Sequence, residues 1–326
     1  MNIPYISILT PTFNRVKYLH SLINSLINQK FTNIEWIIGD DGSTDNTEDL
    51  IKKFIPKLKF SVIYIKSSKR IGKASMDNIL INKAKGKYVV WCDSDDFFVD
   101  DILNDIFLHI KEIENNNNLS GLVFQNLNEQ GVSQSFDKKN IPKLKEIVNY
   151  KELLNYLIGD ATFFVKNKII KKIYFKEVDF VISEGSEINK VFKNELFLLS
   201  NKIVKIMQRN SNDRVSSSKK LKFNRGMTYS LAEYINKENF YNSNFKKKLY
   251  DVSNLWRYSI HGDISISKLY KIWPLFQNKI HLIIYLLPGV ILAIYDIIFK
   301  GIEKTHIEFE QNKKDYKISI VKYNEK

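Results

Sequence analysis

The stretch YVVWCDSDDFFVDD, Tyr88 to Asp101, puts Asp93, Asp95, Asp96, Asp100 and Asp101 directly behind an apolar run. Carboxylates this close repel one another, so positive charge must sit among them. Asp93 and Asp95 stand two residues apart, and both can reach one ligand where a strand has just turned into a loop. Such oxygens suit Mg2+ or Mn2+; Mg2+ commonly takes one or two carboxylates together with substrate phosphates. Helix capping is the simpler use for a lone aspartate, and Asp96, Asp100 and Asp101 are the expected caps of a helix starting near Val99. Capping leaves Asp93 unexplained. A second acidic tip, DDGSTDNT, runs from Asp40 to Thr47. By itself it reads as a turn followed by an N-cap at Thr44 or Asp45. Beside another acidic strand tip it suggests a nucleotide site, where a carboxylate accepts from a base imide or a sugar hydroxyl.

Those tips need elements to hold them. YISILTP, Tyr5 to Pro11, is short, apolar and β-branched, and reads as a buried strand. Leu19, Leu22, Ile23, Leu26 and Ile27 recur at helical spacing; IEWIIGDDGSTD gives a second strand, and Leu50, Ile51 and Phe54 mark a second helix. SVIYIKS, a helix over Ala74 to Lys85, and KYVVWCD continue the alternation. The pattern predicts an α/β fold with a doubly wound, mostly parallel sheet and right-handed crossovers. Ligands of such sheets bind beyond the carboxyl ends of the strands, which here carry Pro11-Thr12, Asp40 to Ser43, Lys66 to Lys73 and Asp93-Ser94-Asp95. After about Asn115 the pattern is mixed. LSGLVFQNL suggests a strand, YKELLNYLIGD a helix ending near Gly159, ATFFVKNKIIKKIYF a strand then a helix, and SEGSEINKVFKNEL another helix. Beyond about Ser218 helices dominate.

The chain has 326 residues, 44% of them hydrophobic, enough for one large domain and a smaller appendage. Its 50 Lys+Arg against 36 Asp+Glu give a formal net charge of +14. The lysines are scattered, with clusters at 219–222 and 246–248. Without any nucleic-acid motif, this favours an anionic membrane surface over nucleic acid. The lone Cys92 fits a reducing compartment, and MNIPYISILTPTFNR runs straight into a strand, so secretion by a signal peptide is not expected. No G-x-G-x-x-G follows the first strand, RIGKAS lacks the earlier glycine and the Ser/Thr of a P-loop, and neither H-E-x-x-H nor G-x-S-x-G occurs.

SILTPTFNRVKYLHSLINSLINQKFTNIEWIIGDDGSTDNTEDLI, followed by GKASMDNILINKAKGKYVVWCDSDD, resembles the nucleotide-binding half of family 2 glycosyltransferases. The resemblance is close over about the first 105 residues, thins in the middle and is nearly absent after about Asn210. It implies a GT-A fold over 1–215, with a nucleotide-sugar half at 1–115 and an acceptor half at 116–215, followed by a mainly helical region at 216–326. Pro11, Thr12 and Arg15 would line the donor pocket, with Ser94 between the metal ligands, and Asp41, with Asp40 beside it, would hold the base of a UDP-sugar. Asp93 and Asp95 would form the DxD pair, Asp95 being the main ligand of Mn2+ or Mg2+. Met76-Asp77-Asn78 stands where many relatives have Ala-Arg-Asn, and Lys73 is the expected replacement for that arginine. The general base of an inverting transfer falls on Glu184, with Gly185 where relatives carry aspartate and Glu187 in reserve. Asp160 is expected to touch the acceptor, a cell-surface glycan or a lipid-linked sugar. A nucleotidyltransferase would show a Gly-rich phosphate loop after its first strand, which LTPTFNR lacks; a non-catalytic glycan- or membrane-binding relative is the other alternative.

KIHLIIYLLPGVILAIYDIIFK, Lys279 to Lys300, approaches the ~20 residues that span a bilayer. His281, Pro288-Gly289 and Asp296 interrupt it. An interfacial element on the inner leaflet is expected over 268–304, helped by Lys268, Lys271, Lys300 and Lys304. A spanning helix and a buried or oligomer-contact helix pair are the alternatives. A cytoplasmic protein at the inner face of the membrane follows. The tail KDYKISIVKYNEK alternates like a strand.

Overall fold

The computed structural model describes residues 3–136, 146–176, 184–208, 221–235, 244–272, 279–300 and 316–324. By internal contacts the chain falls into two compact units. One comprises Met1–Phe175, Glu187–Ser211 and Asn312–Lys326; the other comprises Lys176–Ser186 and Asn212–Gln311.

The first unit is built on one ten-stranded sheet. Strands β1 (Ile6–Thr12), β2 (Ile34–Asp40), β3 (Ser61–Ser67) and β4 (Tyr88–Trp91) are mutually parallel, with Ile6 opposite Ile34 on one side and Tyr88 on the other. Every residue of β1 and β2 is buried, because helices cover both faces of the sheet. Alternation sorts the side chains. Ile6 and Ile8 meet Leu19, Leu22 and Leu26 of α1 (Val16–Ile27), Leu50 and Ile51 of α2 (Thr47–Phe54) and Ile106 of α4 (Ile102–Ile113). Leu9 faces the other core, with Met76 and Leu80 of α3 (Lys73–Lys83). Two buried hydrogen bonds tie β2 and β1 to the residue that follows β4: Trp36 Nε1 donates to Thr10 Oγ1 at 3.0 Å, and Thr10 Oγ1 donates to the Cys92 carbonyl at 2.8 Å.

The sheet continues as β5 (Asp96–Phe98), β6 (Leu119–Asn128), β7 (Glu146–Asn149), β8 (Thr162–Lys166), β9 (Leu196–Met207) and β10 (Ile318–Tyr323). Beyond β4 the pairing turns mixed: β8 is antiparallel to β4 and β6, and β9 runs parallel to β6 and antiparallel to β5 and β7. The helices α5 (Tyr150–Tyr156), α6 (Asn167–Ile170) and α7 (Glu184–Phe192) complete this half, α5 stopping three residues short of Gly159. At the other edge, β10 is antiparallel to β3, so the strand-like tail belongs to the sheet rather than to the helices before it.

Three expected caps do other work. Helix α4 starts at Ile102, and its Leu103 amide donates to Gln29 Oε1 at 2.9 Å. Asp101 sits at the cap position with φ 51° and no side-chain cap bond; it accepts from the Lys30 amide and pairs with Lys30 Nζ at 3.0 Å. Asp100 accepts from Asn28 Nδ2, and Asp96 is buried in β5. At α2, Asp45 accepts from the Thr47 amide and hydroxyl, while the cap position is Asn46.

The second unit contains α8 (Leu221–Ile235), α9 (Phe245–His261), α10 (Ile266–Ile272) and α11 (Lys279–Lys300) around a small core of Ala232, Ile235, Val252, Leu255, Trp256 and Leu269. Gly289 and Asp296, two of the interruptions in the apolar run of α11, lie on its packing face. Gly289 lies so close to α9 that an added Cβ would meet Trp256 Cβ at 2.5 Å and the Ser253 carbonyl at 2.7 Å. Two turns further on, Asp296 is buried and takes a two-pronged ion pair from Arg257, with Oδ1 at 2.9 Å from Nη2 and Nε on Oδ2, and His261 Nε2 lies 3.1 Å from Oδ2. Leu287, Ile291, Ile294 and Ile298 stand exposed. Among the described residues no helix is long and apolar enough to cross a membrane. Lys219, Lys220 and Lys304 lie outside the described residues.

Candidate active site

The carboxyl ends of β1, β2, β3 and β4 converge as the strand order requires. Pro11 pairs with Gly39, and Thr12, buried, accepts the Asp41 amide on its carbonyl at 2.9 Å. Asp40 is fully buried and committed internally, accepting from the Ser43 amide at 2.7 Å and the Tyr64 hydroxyl at 2.5 Å. Asp41 reaches across to the loop after β3, where Ile71 N donates to Oδ1 at 2.5 Å and Gly72 N to Oδ2 at 2.9 Å. Burial pushes the Asp41 carboxyl up to about 6, and the two amides and Arg70 only partly counter it. Gly42 must be glycine: its φ is +78°, and a Cβ there would lie 2.6 Å from the Lys69 carbonyl carbon. The tip of β2 is thus locked to the 69–72 loop, whose Arg70 guanidinium stacks 4.3 Å above the Phe13 ring.

The positive charge demanded by the aspartates comes from three places. Arg15 Nη1 lies 2.8 Å from Asp95 Oδ2. Lys73 Nζ is 2.9 Å from Asp77 Oδ2 and 3.8 Å from Asp93 Oδ1, and Trp91 Nε1 donates to the other oxygen of Asp77 at 3.2 Å. Lys205, near the C-terminal end of β9, is buried against Asp96 Oδ2 at 3.2 Å and the Trp91 carbonyl at 3.3 Å. Desolvation opposes charge on Asp93, but Lys73, Lys205 and Arg15 outweigh it and hold the carboxyl below its usual range. Burial lifts Asp96 to about 7 despite Lys205. Burial also works against the Lys205 ammonium, and Asp96, Cys92 and Asp93 together more than offset it. Ser94 is buried between the two outward aspartates, whose side chains are 50% (Asp93) and 24% (Asp95) exposed. No cluster of three or more His, Cys, Asp or Glu side chains is gathered for a metal among the described residues. The pair Asp93 and Asp95 suits a hard cation whose remaining oxygens come from phosphates and water.

The residues expected from the second half are less concentrated. Asp160 is exposed, and its carbonyl accepts from Asn126 Nδ2 and Ser135 Oγ at 3.0 and 2.7 Å. Glu184 opens α7, is exposed and is grouped with the second unit; Glu187, in the first, is held by Lys190 at 3.0 Å.

Sequence reasoning missed Lys205, Asp77 and Arg70. The signal for Lys205 was present: a lysine between Val204 and Ile206 in an apolar run needs a buried carboxylate partner.

Comparison with known proteins fits this geometry. An uncharacterized glycosyltransferase of Haemophilus influenzae is 42% identical over 103 residues, covering 32% of this chain and 41% of that protein. The poly(ribitol-phosphate) beta-N-acetylglucosaminyltransferase TarS of Staphylococcus aureus is 28% identical over 201 residues, 60% of this chain and 33% of that protein. The chain therefore matches less than half the length of either relative. The crystal structure of TarS 1–349 in complex with UDP-GlcNAc shares the fold, with a TM-score of 0.54 and 20% identity over 88% of this chain and 80% of that one. So does the Pyrobaculum calidifontis mannosyltransferase in complex with GDP-Man and Mn2+, with a TM-score of 0.52 and 12% identity over 91% and 88%. A family model described as glycosyl transferase family 2 matches residues 7–174, more than half of the chain. The chain therefore belongs to glycosyl transferase family 2.

Proposed function

We propose that the protein transfers a sugar from a nucleotide-sugar donor, a UDP-sugar, to a hydroxyl of a cell-surface glycan or lipid-linked acceptor, with inversion. One observation carries the reading: two carboxylates edged by Arg15 and Lys73 stand at the carboxyl ends of parallel strands, beside a second acidic tip. The nucleoside would lie against Pro11, Thr12 and Asp41, and the diphosphate against Arg15 and Lys73. A divalent cation, Mn2+ or Mg2+, held by Asp93 and Asp95 would neutralise charge on the leaving diphosphate. The acceptor oxygen attacks the anomeric carbon from the face opposite the diphosphate. The carbon–oxygen bond to the β-phosphate breaks with its electron pair on phosphate, and the acceptor's proton passes to Glu184.

Calorimetry with UDP, GDP and CDP, with and without Mn2+, tests the donor site. Mn2+-dependent binding of UDP alone, lost in Asp95→Ala, is expected. Absence of nucleotide binding under every condition would move the reading to a non-catalytic relative. Glu184→Gln should lower kcat about 10²-fold or more with donor affinity kept; unchanged turnover would transfer the base role to Glu187.

The acceptor reading draws on α11. Its exposed Leu287, Ile291, Ile294 and Ile298 suit an interfacial helix, with the exposed Lys268 and Lys271 as partners for anionic headgroups. Co-sedimentation with anionic but not zwitterionic vesicles, lost in Ile291→Glu/Ile298→Glu, is the expected result, and it would locate the protein at the inner face of the membrane. A dimer that dissociates in the same variant would instead make this face an oligomer contact.

A further inference from the structure

We propose that the C-terminal strand β10 is a positioning element of the donor site: it braces the 68–72 loop from outside while Asp41 holds it from inside. This rests on the donor-site reading above. The ladder between β10 and β3 runs from Ile318 opposite Ser67 to Tyr323 opposite Val62, so the N-terminal end of β10 lies at the ligand end of β3. Pairing does not stop with the strand. Ser68 N donates to the Lys317 carbonyl at 2.9 Å, and Lys317 N returns a bond to Ser68 Oγ at 2.9 Å. Ser68 is the residue from which the loop departs, and within five residues that loop delivers Arg70 to Phe13, the Ile71 and Gly72 amides to Asp41, and the start of α3 with Lys73.

The far end of β10 fixes its register. Asn324, at φ 56°, directs Nδ2 to the carbonyls of Ile55, Leu58 and Phe60 at 3.3, 3.1 and 3.4 Å. A one-residue slip would lose this clamp and the Ser68 exchange together. Core building accounts for only part of the strand: Ile318 and Tyr323 at its ends are half-buried against the two cores, but Ile320 and Val321, on opposite faces between them, are 41% and 42% exposed. β10 stands at the end of the strand order, and what it supplies to β3 is chiefly hydrogen bonds and a fixed exit direction. Without it β3 would be the edge, and the loop would leave an unpaired strand.

The test uses full-length variants and two readouts, one of which needs no nucleotide. Ser68→Ala removes the acceptor for Lys317 N, and Lys317→Pro removes the donor itself. In both, amide exchange at Ile71 and Gly72 is expected to quicken at least tenfold. The KM for the nucleotide-sugar should rise about fivefold in Ser68→Ala and tenfold or more in Lys317→Pro, with kcat within twofold of wild type. Ser68→Thr, which keeps the hydroxyl, should restore both readouts. Unchanged exchange at Ile71 and Gly72 in Ser68→Ala would overturn the proposal whether or not the protein binds a nucleotide. A fall in kcat at constant KM would also overturn it. If Lys317→Pro does not fold, Ser68→Ala decides alone.

Discussion

Two buried charge clusters, one in each unit, are built from similar parts and finished differently. In the second unit Asp296 meets Arg257 and His261, and the Asp296 and His261 side chains are each 3% exposed. In the first, Asp96 and Lys205 are equally sealed, at 5% and 8%, yet Asp93 and Asp95 on the same turn keep 50% and 24% of their side chains in solvent. A cluster that only joins helices can close over its charges. The cluster proposed to face the donor's phosphates leaves carboxylate edges outward and keeps a buried cation beneath them. The difference separates stability from ligand binding, and substitutions can pull the two apart.

The largest effect is expected at Lys205, which serves both. Lys205→Met leaves Asp96 buried without its cation, and should cost about 3–5 kcal/mol in chemical denaturation while also weakening donor binding. Loss of stability with donor binding intact would detach Lys205 from the site. Asp296→Asn, in the closed cluster, should cost about 2–3 kcal/mol and leave nucleotide affinity where it was. A drop in affinity there would break the comparison. Asp41 gives the smallest effect. Its folded carboxyl, near 6, lies above its ordinary 3.8, so the folded state holds a proton that the unfolded chain releases between those values. Its contribution to stability is therefore greatest below pH 3.8 and is lost as pH rises through 6. Relative to Asp41→Asn, wild type should gain about 1 kcal/mol between pH 7.5 and pH 5, read from paired thermal melts. A gain in the opposite direction would mean that the Ile71 and Gly72 amides outweigh burial.

How far all this was legible depends on the distance over which each residue finds its partner. The first four strands announce themselves because parallel, doubly covered strands are apolar on both sides, and their ends put Asp41, Asp93 and Asp95 where ligands bind. Asp96 was misread for the opposite reason: locally it resembles a helix cap, and its partner, Lys205, lies 109 residues along the chain. The same holds for Gln29, which caps α4 from 74 residues away. Strand β9 was missed because its ladder to β6 breaks register more than once, so no clean two-residue alternation is left to read. In α11, Gly289 and Asp296 read as flaws in an apolar run until α9 is there to receive them.

The placement of β10 has a consequence for how the molecule is made. Ser68 waits 249 residues for Lys317, so a ribosome must add the rest of the sheet and all the helices of the second unit before β3 acquires its outer neighbour. Loop-closure entropy rises only as the logarithm of length, and the separation costs little at equilibrium. In time it costs more: nascent chains pass through a stage in which β3 is a bare edge, open to pairing with a neighbouring chain. Fusions or tags placed beyond β10 would act on that step, and yield of folded protein should register them before activity does.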